Sequence, residues 1–500
     1  MGDVVKKRIK VLEKKEEALL KWILKTNQPL SIVTNEAYIE KMKVFDPEFS
    51  IPALRENFQQ RIDYISLTTD FWTSRAKHGY LGITASFIAT DFSVVDIMLD
   101  IKYVPAPHTA VVIADSLYES ILDWNLLGRI VSIVTDNGAN MIASIQLLNQ
   151  KPGCYAIKRL PCVSHALQLA FGKGLMIAEV LVARVRRIIN FFSTQKQVER
   201  LKNVQKHLGY TEALQLVQDV STRWNSSYYA FDRLFFLKDA IIQLQTDLCT
   251  STNREGKKDG NKLRKIMLSD EDWDLVDELI TLLMPFEQAT CEFSGGSYVT
   301  LSKMVPTIKE LIFNLGDFYD ASLLGETTTK KIYDSLIYYW NGPNDLGLLA
   351  TFLDPHYKNL DCIDDEHEKQ QLIQQLYIEY NELKPELNIN QNEHQLVDFI
   401  NDISLTRSYQ GYKHYRLLKG KRKSVLSNDH YLLDEVKSYL DLSLASENES
   451  PLEWWKACTQ AFPYLSKLAL KYQQVLCQRN MKFMNVFAPS WDSNEDIESE

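Results

Sequence analysis

The strongest constraint on the fold is the order of β-prone and helical stretches between residues 65 and 148. Ile65–Thr69 is a short β-prone run, and two further β-prone runs follow it. A helical repeat and a fourth apolar run, Arg129–Thr135, come next, and the turn signal DNG at residues 136–138 closes that run. The two further β-prone runs are Tyr80–Thr90 and Val94–Val104, and the helical repeat is Thr109–Trp124. The predicted order is strand, strand, strand, helix, strand, helix.

Antiparallel strands followed by a crossover helix and a parallel strand form the ordering of RNase H-like folds, in which the first and fourth strands are neighbours. From Leu167 to about residue 440 the periodicity is mostly helical, and Trp273 and Val276 lie on one amphipathic helix that Ser269 caps. We therefore expect an α/β fold: an RNase H-like mixed five-stranded sheet with flanking helices, interrupted by a large all-helical insertion. Polar composition predicts a loop over Thr250–Asn261.

Composition excludes several classes of protein. The chain has 500 residues, 45% hydrophobic and 24% charged, which are ordinary globular values and exclude disorder as the main state. Seven scattered cysteines do not form a disulfide framework, and the absence of a run of about 18 apolar residues predicts no membrane partner. The net charge of −9 does not favour nucleic acid as a partner, so any DNA contact has to come from local basic stretches such as Lys419–Lys423.

Two aspartates stand at the ends of predicted strands. Asp70 lies in LTTDFWTS and Asp136 in IVTDNGAN. Neighbouring strands would bring the two carboxylates together, and a close acid pair is unfavourable unless a cation such as Mg²⁺ neutralises it. Two such ions can hold the attacking and leaving oxygens of a phosphodiester. Asp is also a common turn former at strand ends, and the strand pattern alone favours that simpler interpretation.

Three further motifs each have a functional and a structural interpretation. Cys162 and His165 form a Cys-x-x-His pair, but a structural zinc needs four ligands, so a core cysteine and a hydrogen-bonded histidine are favoured. Arg223-Trp224 could stack on a flipped base or hold a phosphate, or could simply cap a helix beside a buried tryptophan. The apolar residues of 451–472 recur at helical spacing and suit either an interface or the chain's own core.

Taken in order, these blocks resemble the hAT family of DNA transposases. LTTDFWTS and IVTDNGANM are similar to the family's first two catalytic blocks, RLPCVSHALQLA to its Cys-x-x-His block and STRWNSSYYAFDRL to its TRWNS block. The stretch from residue 268 to about 311 resembles the helical insertion and the return from it. PLEWWKACTQAFPYLSKLALKY resembles the C-terminal dimerisation segment. The resemblance spans roughly residues 20–475.

The resemblance assigns roles to single residues. Asp70 and Asp136 correspond to the first two acids of a catalytic triad that uses Mg²⁺ or Mn²⁺. Cys162 and His165 fall beside that active site, and no zinc is expected. Trp224, next to Arg223, falls at the tryptophan that stacks at the flipped base. The segment that pairs two chains carries the expected contact residues Pro451, Leu452, Trp454, Trp455, Tyr464, Leu465 and Leu468.

The sequence departs from the family pattern in three places. The Ser-Glu-Arg motif that carries the third acid is replaced by LALKYQQVLCQRNMKFMNVF, and Glu495, Glu498 and Glu500 are poor substitutes. No Cys-x-x-Cys with a downstream His pair is present, so a BED-type zinc finger is not expected. The spacer between Pro52 and Ile65 is also short. The expected function is a dimerising, DNA-binding transposase relative with impaired catalysis.

The expected partners are duplex DNA, bound weakly or non-specifically, and a second copy of the chain, in the nucleus or otherwise the cytoplasm. Two alternatives stay open: an active metal-dependent nuclease or transposase with an unforeseen third acid, and a protein-interaction scaffold without DNA affinity. The predicted domains are an N-terminal helical region at 1–60, the first part of the core at 61–165, the insertion at 166–290, return helices and the rest of the core at 291–440, the truncated dimerisation segment at 441–476 and a divergent tail at 477–500.

Overall fold

The chain forms two compact units, each described here by itself. The computed structural model describes residues 36–45, 63–73, 78–175, 178–219, 224–295, 298–319, 326–340, 345–383 and 434–476. The first unit comprises residues 1–162, 293–306 and 344–500, and the second comprises 163–292 and 307–343. The second unit contains the insertion predicted at 166–290 together with the segment 307–343.

The first unit contains the predicted sheet. Its strands are β1 (Ile65–Thr73), β2 (Gly79–Ile88), β3 (Val94–Val104), β4 (Ile130–Thr135) and β5 (Lys158–Pro161). They lie in the order β3-β2-β1-β4-β5. The pairs β1/β2 and β2/β3 are antiparallel, and β1/β4 and β4/β5 are parallel. The predicted mixed five-stranded sheet is confirmed, including the adjacency of the first and fourth strands.

Helices cover the apolar face of this sheet. After a short helix α1 (Glu36–Phe45), α2 (Ala110–Asp123) crosses from β3 to β4, and α3 (Ala139–Leu148) follows β4. Thr109 caps α2, because its side chain accepts a hydrogen bond from the amide of Val112. The core between helices and sheet contains Ile65, Leu67, Leu81, Ile83, Ile97, Leu99, Ile113, Leu117, Ile121, Ile133, Met141 and Ile145.

The opposite face of the central strands is lined with hydroxyl groups. Ser66 and Ser132 are fully buried, and their Oγ atoms lie 2.7 Å apart across the β1/β4 pair. Ser86 Oγ donates to the carbonyl of Ser66 at 3.5 Å, and Thr84 Oγ1 donates to the carbonyl of Thr68 at 3.3 Å. Because side chains alternate along a strand, one strand supplies both an apolar face and this polar one.

The second unit is helical. Its elements are α4 (Val163–Leu175), α5 (Glu179–Phe191), α6 (Gln195–His207), α7 (Trp224–Phe236), α8 (Lys238–Thr250), α9 (Arg254–Ile266), α10 (Asp270–Phe293) and α12 (Glu326–Trp340), while α11 (Leu301–Tyr319) continues into it from the first unit.

The predicted cap of α10 is confirmed. Ser269 Oγ accepts from the amide of Asp272, and the Asp272 carboxylate accepts from the amide of Ser269. The same carboxylate accepts two hydrogen bonds from Arg184 Nη1, at 2.8 and 2.6 Å, which joins α5 to the start of α10.

The prediction of a loop over Thr250–Asn261 is wrong. Its polar composition hides the helix α9, which Asn253 caps by accepting from the amide of Glu255. Tertiary packing overrides the weak local propensity, since Leu263 is fully buried and Gly260 lies against the backbone of α8. A Cβ at Gly260 would approach the Cys249 nitrogen to 2.7 Å, so only glycine allows the two helices to come this close.

The C-terminal part of the first unit is a group of short helices with an aromatic centre. The helices are α13 (Asp345–Phe352), α14 (Glu366–Leu383), α15 (Glu435–Leu440), α16 (Pro451–Cys458) and α17 (Pro463–Gln473). Trp454 and Trp455 are at most 1% exposed and contact Tyr439 and Phe462. Trp455 Nε1 donates to the Leu353 carbonyl at 2.7 Å. Both tryptophans therefore pack in the chain's own core.

The turn that follows α13 organises this group through buried polar contacts. The Asp354 carboxylate is fully buried and accepts from Ser302 Oγ at 2.6 Å, and its other oxygen lies 2.7 Å from His356 Nδ1. Lys358 Nζ donates to the carbonyls of Tyr439 and Leu442 at 2.6 and 2.5 Å. A buried ion is costly unless it is hydrogen-bonded, and these partners supply the bonds.

Two sequence predictions concern residues that the structure does not describe. The basic cluster Lys419–Lys423 and the tail glutamates lie outside the described residues. In the parts of the chain that the structure describes, no single helix is long and apolar enough to span a membrane.

We predict that Trp455→Ala lowers the free energy of unfolding by about 3–5 kcal/mol, because it opens a cavity in the aromatic core. Leu444, which is 41% exposed, is the control, and Leu444→Ala is expected to change stability by at most about 0.5 kcal/mol. Chemical denaturation at two protein concentrations measures both. A loss for Trp455→Ala that shrinks as the protein is diluted would instead assign the indole to a contact between chains.

Candidate active site

The pairing of β1 with β4 determines where the two candidate acids stand. Asp136 directly follows β4, as predicted, whereas the prediction that Asp70 ends its strand is wrong, because β1 continues to Thr73 in its pairing with β2. Strands β1 and β4 run parallel, with Ser66 beside Ser132 and Thr68 beside Val134. Asp70 lies two residues beyond Thr68, and Asp136 lies two residues beyond Val134. The same register, continued by two residues, would put the two acids level, and the alternation of side chains along a strand would put both on the hydroxyl-lined face. Both are half-buried.

A half-buried arginine holds the loop that carries Asp136. Arg159 of β5 donates from Nη2 to the Asp136 carbonyl and to Asn137 Oδ1, both at 2.7 Å, and from Nε to Thr135 Oγ1 at 2.9 Å. Burial lowers the pKa of the Arg159 guanidinium, and the nearby Asp136 carboxylate opposes that shift. The Asp136 Oδ1 atom also accepts from the amide of Gly138 at 2.9 Å. One guanidinium thus fixes three consecutive residues at the strand end.

An aromatic side chain borders Asp70. Asp70 pairs with Gly82 of β2, and Trp72, two residues further along β1, points to the same face. A Cβ at Gly82 would meet the Trp72 ring at 3.0 Å, so the ring occupies the space that a side chain would otherwise fill. Trp72 also stacks on Tyr80, with ring centroids 5.9 Å apart.

The Cys-x-x-His motif begins at the same strand end. The Cys162 amide donates to the Thr135 carbonyl at 2.7 Å, so the backbone of Cys162 lies directly beside the last residue of β4. His165 is half-buried in the first turn of α4 and belongs to the second unit. Within the described ranges, no group of three or more His, Cys, Asp and Glu side chains could hold a metal ion. The expectation of no zinc stays a prediction.

A buried acid anchors the segment before Arg223-Trp224. The Asp219 side chain is 1% exposed; it accepts from Arg186 Nε of α5 at 2.5 Å and from Ser227 Oγ of α7 at 2.7 Å. Trp224 begins α7, but its side chain and all of Arg223 lie outside what the structure describes. The role of both residues at DNA stays a prediction.

The segment expected to pair two chains is only partly accessible. Leu452, Leu465 and Leu468 are at most 5% exposed, like the two tryptophans, whereas Pro451 and Tyr464 are half-buried. Trp454 and Trp455, two of the expected contact residues, are buried in the chain's own aromatic core. Self-association itself stays a prediction.

Family models match both units. The ZBED1 RNase-like domain matches residues 68–152, and the ZBED1 RNase-like helical domain matches residues 160–282. A Zea mays protein named as an AC transposase is 23% identical over 370 residues, which are 68% of this chain and 44% of that protein.

Two further relatives cover more of the chain. The zinc finger BED domain-containing protein RICESLEEPER 3 of Oryza sativa subsp. japonica is 22% identical, over 90% of this chain and 63% of that protein. The zinc finger BED domain-containing protein 4 of Homo sapiens is 22% identical, over 89% of this chain and 38% of that protein.

These matches support a transposase-derived protein related to the hAT family. The chain spans between 38% and 63% of the length of these three relatives.

Two residues that hold or flank the candidate functional residues, one in each unit, were not found from the sequence. Arg159 and Asp219 act through partners that neither helical nor strand periodicity connects to them. Arg159 lies 23 residues from Asp136, and Asp219 lies 33 residues from Arg186. The sequence signal for Arg159 and Asp219 was a charged residue next to a motif. Because such residues are usually solvated, this signal does not predict a supporting role.

We predict that Arg159→Ala lowers the free energy of unfolding by about 1.5–3 kcal/mol, because the hydrogen bonds of a charged donor to the Asp136 loop are lost. Lys158→Ala is the matched control on the same strand, since Lys158 is exposed and its ion pair with Asp345 is long, at 4.0 Å. Thermal unfolding of both variants gives the comparison. Equal losses in the two variants would show that Arg159 does not hold the loop.

Proposed function

We propose that this chain is a transposase-derived, DNA-binding protein whose acid pair Asp70 and Asp136 holds one divalent cation but does not cleave DNA at a useful rate. The observation that carries the proposal is the parallel register of β1 and β4 up to Thr68 and Val134, which, continued by two residues, would bring Asp70 level with Asp136. The relation to the hAT family supplies the chemistry that such a pair serves.

The donor set suits a hard cation. Two neighbouring carboxylates repel each other, and a divalent ion relieves that repulsion. Mg²⁺ and Mn²⁺ prefer oxygen ligands and are commonly bound by one or two carboxylates. Asp70 and Asp136 would hold the ion, while Arg159 fixes the backbone that presents Asp136. When bound, such an ion polarises a phosphoryl oxygen.

Impaired cleavage follows from the number of acids. Two-ion phosphoryl transfer needs enough carboxylates to hold both ions in place. The family's Ser-Glu-Arg motif is not found where it is expected, soon after residue 472. Loss of an essential ligand costs orders of magnitude in rate, and each factor of ten corresponds to about 1.4 kcal/mol of activation barrier.

Contact with duplex DNA is expected to rest on phosphates rather than on base reading. The 500 residues contain no Cys-x-x-Cys motif of a BED finger, and phosphate contacts carry no sequence information by themselves. Arg223 and Trp224 are the proposed contacts to DNA. The buried Asp219 side chain joins α5 to α7, the helix that Trp224 begins. The names of the two BED relatives favour the nucleus.

Self-association through residues 451–472 is also proposed, in a restricted form. Because both tryptophans are buried in one chain, a second chain would have to contact the half-buried Pro451 and Tyr464 and their exposed neighbours. Such an interface lacks both tryptophans as anchors, so we expect weak association.

The test is a plasmid-nicking assay with Mg²⁺ and then Mn²⁺, alongside a gel-shift assay on the same duplex. We predict DNA binding without nicking above the protein-free background. The compared variants are Asp70→Ala and Asp136→Ala, with Asp123→Ala as the control because that carboxylate is 57% exposed on α2.

Nicking that is lost in Asp70→Ala and Asp136→Ala but kept in Asp123→Ala would overturn the proposal. It would identify an active nuclease that recruits another acid, for which Glu292 near the end of α10 is a candidate. Nicking that persists in all three variants would come from a contaminating nuclease and leave the prediction standing. A wild-type chain without salt-dependent DNA binding would favour the scaffold alternative.

A further inference from the structure

The helix α9 carries an unusual concentration of positive charge for this chain. Its 13 residues, REGKKDGNKLRKI, include six Lys and Arg against two acids, whereas the whole chain has a net charge of −9. All six cations are exposed: Arg254, Lys257, Lys258, Lys262, Arg264 and Lys265. With 3.6 residues per turn, they fall on one continuous arc of about 160° that is interrupted only by Asn261. We call this arc the α9 basic face.

Both acids of α9 are neutralised by another helix. Glu255 accepts from Lys196 Nζ of α6 at 2.5 Å. Asp259 accepts from the same Nζ at 2.9 Å and from Arg200 Nη1 at 2.7 Å. Hydrogen bonds to the two acids raise the pKa of Lys196, so the ion-pair network stays charged at neutral pH. The acids therefore sit at the edge of the arc and do not offset the charge of the α9 basic face.

The face is held rigidly. Gly256, Gly260 and Leu263 form the buried side of α9, and the backbone of Leu248 and Cys249 in α8 lies so close to Gly260 that no side chain fits. Lys262 also lies over the Phe191 ring of α5, with its Nζ 5.8 Å from the ring centroid. The six cations are thus presented by a docked helix about 20 Å long, and not by a mobile loop.

The chemistry of the face selects the class of partner. The exposed arc contains no aliphatic or aromatic side chain, whereas protein interfaces are depleted in Lys and anchored by aromatic residues. Single-stranded RNA is bound chiefly by stacking on aromatics, which this face also lacks. A row of cations without apolar anchors matches the phosphate backbone of a duplex, where charge neutralisation supplies the affinity.

We infer that the α9 basic face, residues 254–265, is a surface of the helical unit that binds the phosphate backbone of duplex DNA. This inference rests on the proposed function and places its DNA contact on a helix that no motif of the sequence marks. The net charge of the chain does not predict this DNA-binding surface, since the chain as a whole is acidic and would repel DNA.

The test compares two triple variants of the full chain. Lys257→Gln, Lys258→Gln and Lys265→Gln remove half of the face, and glutamine keeps the helical propensity. The matched control is Lys309→Gln, Lys330→Gln and Lys331→Gln, which removes equal charge from exposed positions of α11 and α12. Circular dichroism verifies that both fold. Fluorescence anisotropy then measures binding to a labelled duplex of about 30 base pairs between about 50 and 200 mM salt.

The α9 triple is expected to bind at least about tenfold more weakly, and its plot of log affinity against log salt is expected to be shallower by about 2–3, because each lost phosphate contact removes about 0.9 from the slope. The control triple is expected to match the wild-type chain. Equal weakening of both triples would overturn the inference, because it would show that only total charge matters.

Three other outcomes separate this inference from the proposed function. An α9 triple that binds DNA like the wild-type chain would overturn the location and leave DNA binding intact. A wild-type chain that binds no duplex would overturn both. Equal or tighter binding of a single-stranded RNA of the same length, lost in the α9 triple, would keep the face but overturn duplex DNA as its partner.

Discussion

The parallel contact between β1 and β4 is the interaction on which the proposed site depends. The two strands meet through a pair of buried serines, Ser66 and Ser132, whose Oγ atoms lie 2.7 Å apart. A slip of one residue would move every side chain of β1 to the other face and separate Asp70 from Asp136. The crossover helix α2 and the core beneath it stabilise this pairing, because they bury the apolar face of the same strands.

Local periodicity was sufficient for most of the first unit. The runs that became β1, β3 and β4 and the helix α2 were bounded from the sequence to within a few residues, because each buries one apolar face at a regular spacing. The same reasoning failed at α9, where Gly256 and Gly260 read as loop residues. Gly260 allows a close approach to the backbone of α8, and Gly256 lies against Ser251, contacts that only the folded structure reveals.

The candidate site could be predicted as far as its motif residues, and its supports could not. Asp70 and Asp136 were marked by their place at predicted strand ends, whereas Arg159 and Asp219 act on residues brought near by folding. Trp454 and Trp455 show the reverse difficulty. Two adjacent tryptophans suit an interface and a core equally, and contacts with the Leu353 carbonyl and the Tyr439 ring place Trp455 in the core.

The most direct test of the account is a crystal structure of the full chain grown with Mn²⁺, in which anomalous scattering locates the ion. The account predicts one ion coordinated by oxygens of both Asp70 and Asp136, and no ion at that place in crystals of Asp136→Asn. Carboxylates on opposite faces of the sheet, or an ion bound elsewhere while this strand end contains none, would contradict the account.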